Sequence, residues 1–214
     1  MNPRLSRRAV LTGALLLGAT GCTTARATPA ASPPTPDGGS GQVLLAYFSR
    51  AGENYFYGGR RNLEVGNTEV LATMIAELID CDIYRIEASD PYPDGYDATV
   101  QRNVAEQDAD ARPGIADPLA SIDGYQHVLL GSPIWNVRPP MIMSTFAESY
   151  DFTGITVHPF VTYAVSGLGN TPRAYSRACA SADIGTGLAI RGEEVAQHRS
   201  DVETWLRAAG LLAT

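Results

Sequence analysis

The sequence predicts an α/β fold with a doubly wound, five-stranded parallel sheet. Five apolar or alternating runs of strand length are separated by stretches of helical character, the pattern that crossover connections leave in a chain. Right-handed crossovers put helices on both faces of such a sheet. Three loops expected at the carboxyl ends of strands, 49–68, 132–138 and 163–170, stand out in composition. Ligands of these sheets bind beyond that rim, where the strand order reverses. A chain of 214 residues is ample for one globular domain and thin for two.

Residues 1–21 read as an address. Ser6-Arg7-Arg8-Ala9-Val10-Leu11 sets two arginines before an apolar run to about Ala19, too short to span a bilayer. This resembles a twin-arginine export signal, a route that carries folded proteins. Ala19-Thr20-Gly21-Cys22 looks like a bacterial lipoprotein processing site, which makes Cys22 the lipidated first residue of an extracytoplasmic, membrane-anchored protein. Residues 22–41 are rich in Ala, Thr, Ser, Pro and Gly, cannot build a core and read as a disordered tether. The domain then spans 42–214.

All sixteen basic residues are arginine. Without lysine there is no Walker-type phosphate loop and no Schiff-base chemistry. Against twenty-three acids the net charge is −7, and thirteen arginines from Cys22 onward leave −10. An acidic body argues against nucleic acid as a partner. Cys81 and Cys179 share no CxxC spacing and have no neighbouring histidine, which disfavours metal binding; a disulfide is possible outside the cytoplasm, but the fold puts them on different elements and two separate thiols are expected.

The first strand is Val43 to Phe48, short and rich in strand formers. The helix after it carries Val70, Leu71, Met74, Ile75, Leu78 and Ile79 at helical spacing. Between them, the glycine-bearing loop from Ser49 to Thr68 feeds a helix N-terminus, with Asn67 or Thr68 as cap. Free amides and the positive end of the helix dipole make an anion cradle there.

The second strand, Asp82 to Glu87, is broken by Pro91, Pro93 and Gly95, and a polar helix follows from about Tyr96 to Ala109. The third strand is His127 to Ser132. Its loop, Pro133 to Arg138, enters a helix at Pro139 or Pro140 that runs to about Tyr150. A fourth strand, Thr156 to Tyr163, leads through Ser166-Gly167-Leu168-Gly169 to a helix with Thr171 as N-cap and Pro172 at its first position. A fifth strand lies near Ile184 to Ile190 and a last helix near Glu194 to Ala209.

A phosphate cradle, an aromatic wall at Trp135 and glycines that let backbone approach closely fit a flat heteroaromatic mononucleotide. In Ala46-Tyr47-Phe48-Ser49-Arg50, Gly66-Asn67-Thr68, Pro133-Ile134-Trp135, Phe146-Ala147-Glu148-Ser149-Tyr150-Asp151-Phe152 and Ser166-Gly167-Leu168-Gly169, the chain resembles bacterial flavodoxin-like proteins, from about Gln42 to Leu212. The resemblance implies FMN and a strand order of 2-1-3-4-5. By position it gives Ser49, Arg50, Asn67 and Thr68 to the phosphate. Pro133, Ile134, Trp135 and Asn136 would line the isoalloxazine, and Ser166 and Gly167 its pyrimidine edge.

Two departures stand out. Residues 51–65 look inserted into a phosphate loop that is usually short, and they read either as a lid over the cofactor or as a self-packed surface loop. Asn136 stands where a glycine often favours one-electron chemistry, and asparagine tolerates a left-handed backbone better than most residues. Arg138 reads as a surface charge or, if it faces the ring, as a group that would stabilise the reduced anion.

Three functional readings remain. An electron-transfer protein with a redox partner protein leads. An FMN-dependent reductase of quinone or azo type, with a small quinone-like acceptor, is second. A surface lipoprotein that keeps the fold without flavin is third. The absence of a Gly-x-Ser-x-Gly elbow disfavours a hydrolase.

Overall fold

A computed structural model describes residues 43–213 of the chain. The export signal, the lipidated Cys22 and the tether expected from the sequence lie outside the described residues.

The first strand, β1 (Val43–Tyr47), is buried along its whole length, as a strand covered on both faces must be. It is followed by β2 (Gly52–Phe56), β3 (Gly59–Leu63) and α1 (Asn67–Ala76). Then come β4 (Asp82–Arg85), β5 (Glu87–Ala88), α2 (Tyr96–Asp108), β6 (Ile115–Ala116), β7 (His127–Pro133) and α3 (Met141–Glu148). The chain closes with β8 (Thr156–Tyr163), α4 (Thr171–Ala178), β9 (Asp183–Ile184), β10 (Leu188–Arg191), a 3-10 segment (Gly192–Gln197) and α5 (Arg199–Ala208).

The central sheet runs β10-β8-β7-β1-β4, every pairing parallel, which is the 2-1-3-4-5 order of the five long strands. The order reverses between β1 and β7. Alternate residues of each strand feed opposite cores. Leu44, Ala46, Val128 and Leu130 meet Ile142, Phe146 and Tyr175 of α3 and α4 on one face. Val43, Leu45, Leu129 and Phe160 meet Leu71, Ile75, Val202 and Trp205 of α1 and α5 on the other. At the centre, Gly131 of β7 lies beside Phe160 of β8, and the ring fills the space a side chain would take.

Four details differ from the sequence expectation. The 49–68 loop contains an antiparallel hairpin, β2–β3, closed by Tyr57-Gly58, both at positive φ (44° and 85°), the geometry of a type I′ turn. The fifth strand divides into β9 and β10 on either side of Gly185 and Gly187, and a Cβ on Gly185 would meet the His158 ring at 2.6 Å. Asn170, not Thr171, is the N-cap of α4, and Thr171 and Pro172 are its first two residues. The last helix begins as the 3-10 turn and becomes α-helical only at Arg199.

At the opposite end of β7 and β8 from the site described below, His127 Nδ1 and His158 Nε2 lie 3.2 Å apart. His158 is 4 % exposed and also faces the Trp205 ring. Burial, and secondarily the charge of His127, push the His158 pKa down to about 4. The unfolded chain binds this proton near its ordinary pKa of about 6.5, so stability is complete above that pH and falls as pH drops toward 4, by about 2 kcal/mol. Urea unfolding at pH 7 and pH 4.5 measures this. His158→Gln should shrink the difference, and an unchanged difference in the variant would assign the acid loss to the carboxylates.

Candidate functional site

The phosphate-type cradle forms where β1 hands over to α1. Gly66 occupies the N-cap of α1 and has no side chain to cap with, so neither Asn67 nor Thr68 plays that part. The cap comes instead from Ser49, whose Oγ accepts the Glu69 N–H at 3.1 Å. Gly66 is required by proximity, because a Cβ there would lie 2.3 Å from Ser49 Oγ and 2.5 Å from the Arg50 carbonyl oxygen. Asn67 and Thr68 are the first helical residues, whose amides have no acceptor within the helix. Thr68 Oγ1 is tied to Thr162 Oγ1 of β8 at 2.7 Å.

Arg50 also reaches the site, but its terminal nitrogens are already donated. Nη1 bonds the carbonyls of Pro93 (3.1 Å) and Asp94 (2.9 Å), and Nη2 bonds that of Glu53. Burial lowers its pKa from the usual arginine value. What it can still offer an anion is Nε, which is buried without a partner, and its main-chain amide.

The second loop is a tight turn. Trp135 N–H donates to the Arg138 carbonyl (2.9 Å) and Arg138 N–H returns to Trp135 (3.3 Å), with Asn136 at φ 51° and Val137 at φ 59°. Two left-handed residues in succession make a type I′ turn, and valine pays strain for that conformation. The surroundings hold it. Gln107 of α2 donates to the Trp135 carbonyl (3.2 Å) and accepts from Asn136 Nδ2 (3.0 Å), while Asn170 N–H bonds the Val137 carbonyl (2.7 Å). The Trp135 ring meets Phe48 and Tyr92 edge-on at 5.7 and 5.2 Å. Tyr92 is fixed by Glu106, which also holds Arg102 over the Tyr92 ring.

These loops open on one cavity of about 580 Å³. Ser49, Arg50, Asn67, Thr68, Pro133, Ile134, Trp135, Asn136 and Ser166 all line it, nine of the ten residues singled out from the sequence. Gly167 does not. At φ 57° it shapes the turn that presents Ser166. Arg138 is also absent from the lining: its Nη2 contacts Met141 Sδ at 2.7 Å in a separate cleft.

Sequence reading missed two contributors, α2 and the 3-10 segment, and left a third, the 51–65 insert, open between lid and surface loop. One face of α2 supplies Tyr96, Thr99, Val100, Asn103 and Val104. The signal was there in Val100 and Val104, apolar and exposed on an otherwise polar helix. The hairpin brings in Asn54 and Tyr55, and the 3-10 segment brings in Gly192 and Glu193. The hairpin is fastened on two sides. Arg60 pairs with Asp97 of α2 (2.6 Å), and Tyr57 bonds Glu193 through its amide (3.1 Å) and Glu194 through its hydroxyl (3.0 Å). Among the described residues no thiol lines the cavity. Burial pushes Cys81 up to about 11 and Cys179 up to about 12, well away from a nucleophile's range.

No curated protein sequence matches the chain. Among solved structures, a flavoprotein from Bacteroides uniformis ATCC 8492 aligns with 28% identity and a TM-score of 0.64, over 79% of this chain and 99% of its own. One from Bacteroides eggerthii DSM 20697 shares 24% identity at a TM-score of 0.62, over 78% and 97%. A Lactobacillus acidophilus NCFM flavoprotein, solved in complex with FMN, shares 17% at a TM-score of 0.53, over 76% and 97%. The last two are likenesses of fold alone. The flavodoxin family model matches residues 61–209, more than half of the chain. A 2-1-3-4-5 sheet whose switch-point rim carries one cavity agrees with that match, and the chain belongs to the flavodoxin family.

Proposed function

We propose that the chain binds FMN in this cavity and serves as an electron-transfer protein held outside the cytoplasmic membrane through Cys22. The observation that carries the reading is that Ser49, Thr68, Trp135 and Ser166, from three loops, open on one space. The residues fit the group. The amides at the start of α1, with Ser49 and Thr68, suit the phosphate, and Gly66 lets the two strands of that cradle close to contact. Pro133, Ile134, Trp135 and Asn136 offer a wall for the ring, Ser166 its pyrimidine edge, and Tyr55 an aromatic cover from the hairpin. The volume is that of a cofactor site.

Bound FMN supplies the redox chemistry, and the chain supplies binding, stacking and electrostatics. A chain of net charge −7, with Glu193 on the lining and the Arg50 fork already occupied, disfavours added negative charge on the ring and lowers its potential for the reduced anion. Export and anchoring rest on Ser6-Arg7-Arg8 and on the processing pattern at Cys22.

Natively exported protein should be yellow, with one FMN released on denaturation. Trp135→Ala should weaken FMN binding by about tenfold, the scale of one lost aromatic stacking contact. Material that is colourless and stays so when given FMN ends the proposal. One observation favours the reductase of quinone or azo type as the second reading: Val100, Val104 and Val165 stand exposed around the mouth beside Trp135, an apolar rim suited to a flat acceptor. Turnover of NAD(P)H with quinones would select it over partner-dependent electron transfer.

A further inference from the structure

We propose that the cleft between α3 and α4 is a binding site for a phosphate group, distinct from the flavin cavity. The cleft has a volume of about 430 Å³ and is lined by four arginines: Arg112 after α2, Arg138 at the end of the Trp135 turn, and Arg173 and Arg177 one helical turn apart on α4. Arg112 is satisfied. It pairs with Glu148 at 2.6 Å and with Asp110 at 3.0 Å. The Arg138 guanidinium contacts the Met141 sulfur and lies near enough to Asp110 to help lower its pKa, but neither it nor Arg173 nor Arg177 has a carboxylate within ion-pair distance among the described residues. The lining therefore holds four positive charges against two negative on a chain whose net charge is −7. In a chain with acids to spare, three guanidiniums border a hollow whose two carboxylates, Asp110 and Glu148, are already paired with Arg112.

A second observation points the same way. Arg173 lies in the first turn of α4, and no acid is present in that turn. A cation at the positive end of a helix dipole is unfavourable, whereas an anion there is stabilised. An anion in the cleft relieves both the mutual repulsion of the guanidiniums and the mismatch at Arg173. Planar guanidinium forks bind phosphate oxygens two at a time, and Ser144 on α3 adds a hydroxyl to the lining. The group can belong to a soluble phosphate ester or to the headgroup of an anionic phospholipid.

The test uses the full chain with excess FMN, so that the flavin's own phosphate seat is filled. Inorganic phosphate, glycerol phosphate and phosphatidylglycerol vesicles are titrated at constant ionic strength, followed by calorimetry, thermal unfolding and, for vesicles, co-sedimentation. Phosphate should bind and raise the melting temperature more than chloride does. The pair R173Q and R177Q together should weaken phosphate binding at least about tenfold, since charge-assisted hydrogen bonds are lost, and leave flavin uptake unchanged. Vesicle binding lost in the same variant makes the headgroup the source, and soluble phosphate bound without vesicles makes it an ester. If the double variant does not fold, R177Q alone carries the comparison. Equal titration of wild type and variant, or equal effects of chloride and phosphate, overturns the site. Because the readout is a difference between two forms of the cleft, it holds whether or not the chain takes up flavin.

Discussion

Replacing Gly66 by alanine is expected to weaken FMN binding about a hundredfold or more, the cost of losing two charge-assisted hydrogen bonds to the phosphate. The backbone at Gly66 has φ −69°, which alanine adopts freely, so conformation is not the obstacle. The obstacle is space. The added carbon would stand 2.3 Å from Ser49 Oγ and 2.5 Å from the Arg50 carbonyl oxygen, and the second of these is main chain that cannot swing aside. Relief requires Ser49 to leave the Glu69 amide and the first turn of α1 to retreat from the loop. Titration with riboflavin supplies the control, because it carries the ring without the phosphate. An equal loss of riboflavin binding would place the phosphate somewhere other than the start of α1.

The largest effect on stability is expected at Gly131. An alanine there would put its Cβ 2.0 to 2.5 Å from three carbons of the Phe160 ring. Phe160 is fully buried, paired with Gly131 across β7 and β8 and packed on Trp205, so the ring has nowhere to go. Overpacking of this kind costs about 3 kcal/mol, even after alanine's smaller backbone entropy loss is credited. In a domain of this size the melting temperature should fall by roughly 6–12 °C. Phe160→Leu on the Gly131→Ala background should recover part of the loss, because the two residues share one volume. A neutral Gly131→Ala would mean that the ring does not lie on the glycine.

Much of this was legible from sequence, for identifiable reasons. A parallel sheet buried on both faces writes itself as apolar runs, and Val43–Tyr47 and His127–Pro133 are such runs. The rim residues were legible because strand ends followed by Ser49, Trp135 or Ser166 leave few other places for those side chains. The hairpin was hidden because Gly52–Phe56 and Gly59–Leu63 have no apolar face to alternate, being half-buried or exposed along their length. The contribution of α2 was hidden because its buried positions are polar, Thr99, Asn103 and Glu106, and so look like solvent positions. Of the two readings of Arg138, surface charge and ring partner, geometry excludes the second. The Trp135 turn reverses the chain within two residues, and the next side chain emerges on the far side of the loop.

The pairing of β1 with β7 also sets a clock. The ribosome delivers Val43–Tyr47 early, but its neighbour His127–Pro133 comes about half a domain later, and β8 later still. Contacts so distant along the chain form slowly. Thr68 cannot find Thr162, nor can Trp135 acquire its surroundings, until synthesis is nearly over. The vessel for the cofactor is therefore still unfinished through most of synthesis. A pigment that settles only into a completed body is the order of events this topology favours.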